Sequence, residues 1–395
     1  MAAATADSLS PAEDRVITPS LSLWTRLRYA AIAFAIQNIF TAPAVFISDI
    51  VHYFYPPPDS PDIVKVYPAR KDLPIRIFLP KPASSASPTG NPLHLPTIFT
   101  IHGGGFVLGR PHDNDAWNRA FASRHDALVI ALNYRKAPAH PFPTAVHDLA
   151  ELVALCLTDA SLPIDRSRGV ALAGWSSGGN LALALAQLLR QTGSGVLLRA
   201  VLSMYPVVDL AVPAARKEAG RRRKPALGGF RAREADVTVG IAPVFDWAYV
   251  PAGTDRRDPL LSPLYGVDVD AYTGLDVFMV ACELDRLANE AWRMASRLAG
   301  RDVPGVDETV GREELAGQGE LVLDDEHFAF EGKGEGGSSC RWLLVPDTIH
   351  GYDSLDEREV DDTEMLKDAR VKMDKIMGIV GEWLLASPLS GTKSG

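Results

Sequence analysis

The sequence predicts an α/β fold in which a mostly parallel sheet is covered by helices on both faces. Two observations carry that expectation. Short apolar runs at 97–101, 127–133, 170–174, 200–205, 277–281 and 341–345 alternate with longer stretches of helical periodicity. Runs that are apolar throughout suit strands buried on both faces, as crossover helices on a parallel sheet make them. The second observation is size: 395 residues, 47% of them hydrophobic, suit one large core with an added cap better than two independent domains.

Taken in order, residues 1–20 are rich in Ala, Ser and Pro and are expected to be disordered. An amphipathic helix is expected within 21–57. Its segment 29–48 carries no charge, which is long enough to be weighed as a membrane span. On a helical wheel, however, Gln37, Asn38, Thr41, Ser48 and Asp49 share one narrow face, while Tyr29, Ile32, Ile36, Ile39, Phe40, Phe46, Ile47 and Ile50 fill the other. That division describes an amphipathic helix better than a span, and Pro43 should kink or break it. Two readings stay open: a cap with peripheral membrane contact, or an anchor. A cleaved signal peptide is disfavoured by a long leader that carries acids.

Prolines at 56–61 mark a linker, after which 58–395 reads as the main domain. Residues 62–67 and 73–79 alternate like paired strands, and 80–96 is a Pro/Ser connector. The strand 97–101 runs into His102-Gly103-Gly104-Gly105-Phe106. Helices are expected at 113–125, 143–157 and 180–190. The alternation fails at 207–265, an Arg-, Gly- and Pro-rich insertion read as a cap, with Phe245, Trp247 and Tyr249 as candidate pocket linings. Its run Arg221-Arg222-Arg223-Lys224 reads as a solvated loop. Residues 301–341 form an acidic, Gly-rich stretch expected to be a surface loop or flexible hairpin. Asp324, Asp325 and Glu326 lack the alternating ligand spacing of a calcium loop. The closing helix, 362–385, buries Met365, Ala369, Met373, Ile376, Val380 and Trp383 as one stripe.

Three segments carry chemistry. Gly174-Trp175-Ser176-Ser177-Gly178-Gly179 joins an apolar strand to a helix, and a serine flanked by glycines at such a turn is a nucleophile elbow. Ser176 is therefore the candidate nucleophile, backed by a helix N-terminus that favours negative charge. Three successive glycines after a strand allow backbone N–H groups to turn toward a ligand, as an oxyanion hole requires. After the strand 277–281, Glu283 and Asp285 compete as the acid that orients a base. Of nine histidines, His350 alone follows the final strand in a loop continued by Gly and an aromatic residue.

Residues 102–106, 174–179 and Asn133-Tyr134-Arg135-Lys136-Ala137-Pro138-Ala139-His140-Pro141-Phe142-Pro143 together resemble the hormone-sensitive-lipase-like esterases of the α/β-hydrolase fold. The resemblance covers roughly residues 60 to 385. Ala139 stands where that family usually has Glu, and Trp175 where it often has Asp. The family's D-x-L-x-D-E block matches Asp285 to Glu290 with Asn289 as the one change, which selects Asp285. The resemblance implies a Ser176, His350, Asp285 triad, with N–H groups of Gly104, Gly105 and Ser177 as oxyanion donors and His102, Gly103, Gly174 and Gly178 as motif residues. It implies a carboxylic ester hydrolase for short- to medium-chain acyl esters of small apolar molecules, without metal or organic cofactor. A deacetylase, lactonase or amidase of a specialised metabolite, or an inactive ligand-binding homologue, are the alternatives.

A formal net charge of −9 argues against a nucleic-acid partner. Cys156, Cys282 and Cys340 are too few and too scattered for a disulfide framework or zinc site. The expected location is cytoplasmic with membrane association. In the anchor reading, Arg15, Arg26 and Arg28 before the segment and Asp49, Asp59 and Asp62 after it would instead leave the main domain in the endoplasmic reticulum lumen. Oligomeric state has no sequence signal here.

Overall fold

The computed structural model describes residues 15–81, 94–269, 271–334, 338–355, 357 and 360–390. A nine-stranded sheet with order β1-β2-β4-β3-β5-β6-β7-β9-β8 organises the chain. Its strands are β1 (Ile63–Tyr67), β2 (Arg70–Phe78), β3 (Thr97–Ile101), β4 (Leu128–Leu132), β5 (Val170–Trp175), β6 (Leu198–Met204), β7 (Asp276–Cys282), β8 (Ala329–Lys333) and β9 (Ser339–Val345). Pairing is parallel from β4 through β9 across β3, β5, β6 and β7. Only the margins are antiparallel: β1 with β2, β2 with β4, and β8 with β9.

The two-residue period of a strand divides the core between the faces. Phe99, Leu172, Val201, Met279 and Trp342 belong to one buried cluster, with helices α4 (Thr144–Thr158), α5 (Ser177–Gln191) and α8 (Ala288–Leu298). Their neighbours Ile98, Ala171, Leu202, Phe278 and Leu343 belong to the other, with α3 (Asp115–His125) and α9 (Thr363–Ala386). Each large side chain buried this way contributes about 1.5–3 kcal/mol. The three cysteines are buried free thiols.

Three sequence expectations need correction. Residues 1–14 of the expected disordered leader lie outside the described residues, but 15–20 are held: Arg256 N–H donates to Val16 O at 2.7 Å, and Thr18 exchanges backbone hydrogen bonds with residues 253 and 254. The N-terminal helix is not broken at Pro43. It runs on as α1 (Leu23–Phe34), a π-helical stretch (Ala35–Thr41) and α2 (Ala42–Phe54), and the irregularity is taken up in the wider π turn immediately before Pro43.

The run 221–224 is solvated only in its middle, at the exposed Arg223. Arg221 and Lys224 are buried, Lys224 between two carboxylates, because a cation leaves water only where anions and carbonyls replace it. The 301–341 stretch takes the second of its two expected forms at its end, where β8 and the first residues of β9 pair as an antiparallel hairpin at the edge of the sheet. Asp324–Glu326 hold no ion-binding arrangement: Glu326 pairs with Arg301 and Asp325 caps its own turn through His327 N–H. The insertion 207–265 contains α6 (Ala214–Ala219) and α7 (Ala242–Tyr249).

The N-terminal helical segment turns its polar face to the protein. The Gln37 side chain bonds two backbone carbonyls, Asp49 and Ser48 meet Arg110, and His52 stacks on His112 at 4.9 Å. Tyr29 packs on Trp247 of α7 at 6.0 Å. The apolar face points away from the domain: Trp24 is 81% exposed, Phe40 69% and Phe46 67%. By length and composition, Leu23–Phe54 would suffice to cross a membrane.

Candidate active site

The site lies where β5 ends and α5 begins. Ser176 sits at φ 54°, ψ −118°, a conformation that strains a residue with a Cβ and lifts its hydroxyl off the sheet. Packing explains the flanking glycines: a Cβ on Gly178 would lie 2.1 Å from Ile101 O. Neither β3 nor β5 could yield, since both are central strands.

Two loops at the same sheet end bring the remaining groups. His350 Nε2 lies 2.8 Å from Ser176 Oγ, and its Nδ1 lies 2.7 Å from Asp285 Oδ2. With the Nδ1 proton donated to the carboxylate, Nε2 is left to accept from the serine hydroxyl. Asp285 is buried and its second oxygen accepts from Leu287 N–H at 2.9 Å, which fixes the carboxylate plane. Burial alone would depress the His350 pKa, but the Asp285 charge and hydrogen bond outweigh it and raise the value above its usual 6.5. Glu283, the rival acid, is engaged elsewhere: Lys224, Arg312 N–H and Asp347 N–H occupy its oxygens.

The glycine loop after β3 forms one wall. Gly104 and Gly105 have φ of 107° and 61°, and a Cβ on Gly105 would meet the Phe245 ring at 2.0 Å. His102 lies under this loop, its Nδ1 2.7 Å from Gly103 O and its ring stacked 4.5 Å from Tyr134. Burial, reinforced by the nearby Lys136 charge, pushes its pKa well below the usual range and keeps it neutral. A cavity of about 660 Å³ opens from Ser176, Ser177, His350, Gly104 and Gly105. Apolar groups from Val16, Ile17 and Pro19, from 207–215 and from α7 line it. Phe245 and Tyr249 are among them, whereas Trp247 turns away to Tyr29. The charged side chains at its margin are paired, Arg256 with Asp246 and Lys217 with Glu290. Among the described residues no group of three or more His, Cys, Asp or Glu is placed to hold a metal.

Sequence reasoning missed several residues here. Tyr205, at φ 36°, packs edge-to-face with His350, ring centres 5.0 Å apart, and its hydroxyl donates to Asp353. Trp175 Nε1 donates to the other Asp353 oxygen at 3.1 Å, so the indole that departs from the family pattern has a half-buried carboxylate as partner. The signal for Tyr205 was the end of a parallel strand beside the elbow; Asp353, far along the chain, had none.

A profile of the alpha/beta hydrolase fold matches residues 98–311. An arylesterase of Saccharolobus solfataricus is 32% identical over 234 residues, 59% of this chain and 69% of that protein. A carboxylesterase of Mycobacterium tuberculosis is 35% identical over 150 residues, 37% and 44% of the two chains. An arylacetamide deacetylase of Bos taurus is 32% identical over 174 residues, 42% of each. The chain therefore spans less than half the length of these last two relatives. Among solved structures, a hyperthermophilic esterase from Pyrobaculum calidifontis superposes with TM-score 0.58 at 22% identity, covering 93% of this chain and 99% of its own. The fold, the profile match and the named relatives agree: the chain belongs to the hormone-sensitive-lipase-like esterases of the α/β-hydrolase fold.

Proposed function

We propose that the protein is a serine carboxylic ester hydrolase for short- to medium-chain acyl esters of small apolar molecules. The observation that carries this reading is the hydrogen-bonded series Ser176, His350, Asp285 opening into a largely apolar cavity beside the glycine loop. Ser176 Oγ attacks the ester carbonyl while His350 Nε2 takes its proton. The tetrahedral oxyanion is held by N–H groups of Gly104, Gly105 and Ser177, each donor worth on the order of 3 kcal/mol. The imidazolium returns its proton to the leaving alcohol, and the acyl-enzyme is then hydrolysed by water activated on the same nitrogen. Asp285 holds the tautomer and stabilises the imidazolium. The insertion 207–265 acts as the cap that selects substrate, with Phe245 and Tyr249 against the acyl or alcohol group.

The test is p-nitrophenol release from a graded acyl series by the wild type and by Ser176→Ala. A maximum at short or medium chains that the substitution abolishes supports the reading, and equal turnover by both forms overturns it.

The segment 29–48 contacts a membrane peripherally, on its cytosolic face. Support comes from its orientation: a spanning helix would have to break the bonds of Gln37, Asp49 and His52 to the domain, whereas an in-plane helix keeps them and offers lipid the exposed apolar face. At 1.5 Å per residue the 32-residue segment is about 48 Å long, well beyond the roughly 30 Å hydrocarbon core. Tags at the two ends of the chain should be reached from the same membrane side; protection of one tag would favour a span.

A further inference from the structure

The basic run 221–224 leads directly to the catalytic loops. Lys224 has 1% of its side chain exposed, and its Nζ donates to Glu283 Oε2 at 2.8 Å, Asp347 Oδ1 at 2.6 Å and Glu314 O at 2.8 Å. Glu283 stands two residues before Asp285, and Asp347 three before His350. A single ammonium group thus joins the roots of the loop that carries the acid and the loop that carries the base.

The two carboxylates extend the join. Glu283 Oε2 also accepts from Asp347 N–H at 2.8 Å, so the loops are tied to each other as well as to Lys224. Leu284 N–H donates to Thr348 O at 2.9 Å one step closer to the site. Glu283 Oε1 accepts from Arg312 N–H, and Asp347 Oδ2 from Ala316 N–H, which brings the 310–316 segment over the cluster. Asp347 is left-handed, φ 57°, a shape paid for by these bonds. Arg221 adds a bond to Leu284 O, and Arg222 bonds the carbonyls of Val310 and Gly311.

We propose that Lys224 is a positioning residue: it sets the separation between Asp285 and His350 from inside the insertion, so that the substrate-selecting cap and the proton-transfer machinery share one anchor. The physical reason is that both carboxylates are fully desolvated. Without the ammonium group they would face each other across the space Nζ now fills with no cation between them, and the cheapest relief is a shift of the loop roots that lets water in. Such a shift misplaces the imidazole relative to Ser176 without touching the apolar cavity where substrate binds. This rests on Ser176, His350 and Asp285 acting as proposed.

The experiment is steady-state hydrolysis of a p-nitrophenyl ester by Lys224→Met, with competent sites counted by the final extent of fluorophosphonate labelling. Ser176→Ala and the wild type run alongside, so that failure of the triad reading shows as activity surviving in Ser176→Ala. Arg76→Met, which breaks the ion pair between Arg76 on β2 and Asp115 at the start of α3, serves as a control for destabilisation alone. Lys224→Met is expected to lose about 10- to 100-fold in kcat per labelled site with KM within about threefold, whereas Arg76→Met keeps its kcat per site. A kcat per site for Lys224→Met within about twofold of wild type overturns the proposal. If Lys224→Met does not fold, Asp347→Asn decides by the same readout, because Asn tolerates the left-handed backbone while giving up the charge that Lys224 holds. Its expected loss is about 3- to 10-fold in kcat per site, and an unchanged value is again fatal.

Discussion

Gln37 donates the two hydrogens of its side-chain amide to the carbonyls of Val107 and Ala137, each at 2.8 Å. Val107 closes the glycine loop, and Ala137 lies in the block that supports it from below. A residue of the N-terminal helix therefore holds the wall that presents Gly104 and Gly105. It does so from the π-helical stretch, where one extra residue in the turn swings the side chain inward.

Replacing Gln37 with Leu keeps the helix but strips both carbonyls of a donor. Leaving a buried acceptor unpaired costs about 1–3 kcal/mol, so kcat/KM is expected to fall about tenfold with the fold intact. Ester kinetics together with a thermal melt check this. Wild-type kcat/KM in Gln37→Leu would mean that the helix is a passenger.

The outward face of the helix makes a separate prediction. Phe40 and Ile47 are 69% and 60% exposed, and each would contribute about 1.5–3 kcal/mol on entering an apolar phase. Phe40→Asp with Ile47→Asp should cut flotation with anionic liposomes by at least about tenfold while hydrolysis of a soluble ester stays within about twofold. Loss of self-association without any change in flotation would assign the face to a second copy of the chain.

The pH profile follows from His350. Its folded pKa is raised above 6.5 by Asp285 in spite of burial, and catalysis needs the neutral imidazole. Thus kcat/KM should fall with acidity through a midpoint above 6.5, and Asp285→Asn should move that midpoint down while lowering kcat by about 10⁴-fold. Stability runs the opposite way. A raised folded pKa means the charged form is favoured in the native state, a contribution fully present below about 6.5 and lost as pH rises through the folded value. The melting-temperature gap between wild type and Asp285→Asn should therefore widen toward acid, and a gap independent of pH would contradict the pairing.

What the sequence made legible, and what it did not, follows from the range of each interaction. Runs such as Thr97–Ile101 and Val170–Trp175 declare themselves because a strand buried on both faces has no room for polar residues. Ser176 is legible for a local reason, since the elbow needs its glycines within two residues. Lys224 is not, because its partners lie 59 and 123 residues away and a basic run with distant acids looks like one that stays in water. The helical wheel placed Gln37 and Ser48 apart from the exposed Phe40 and Phe46, but it could not say which face meets the protein, and it set Tyr29, which packs on Trp247, on the wrong side. Trp247 was recoverable: Phe245 and Tyr249 are four apart and share a helix face, which Trp247 does not.

The contact between Gly105 and Phe245 allows steric and backbone effects to be separated. A Cβ at 105 would lie 2.0 Å from Cδ2 of the Phe245 ring, and at φ 61° it would also meet its own backbone unfavourably. Gly105→Ala should therefore lose at least about 100-fold in kcat/KM, since it moves the N–H proposed as an oxyanion donor. In Gly105→Ala with Phe245→Ala the ring clash is gone, but the left-handed penalty of about 1–2 kcal/mol persists. The double variant should thus recover part of the loss relative to Gly105→Ala and remain about tenfold below Phe245→Ala alone, a coupling that a double-mutant cycle reads directly. Strict additivity of the two substitutions would show that the ring does not bear on the loop.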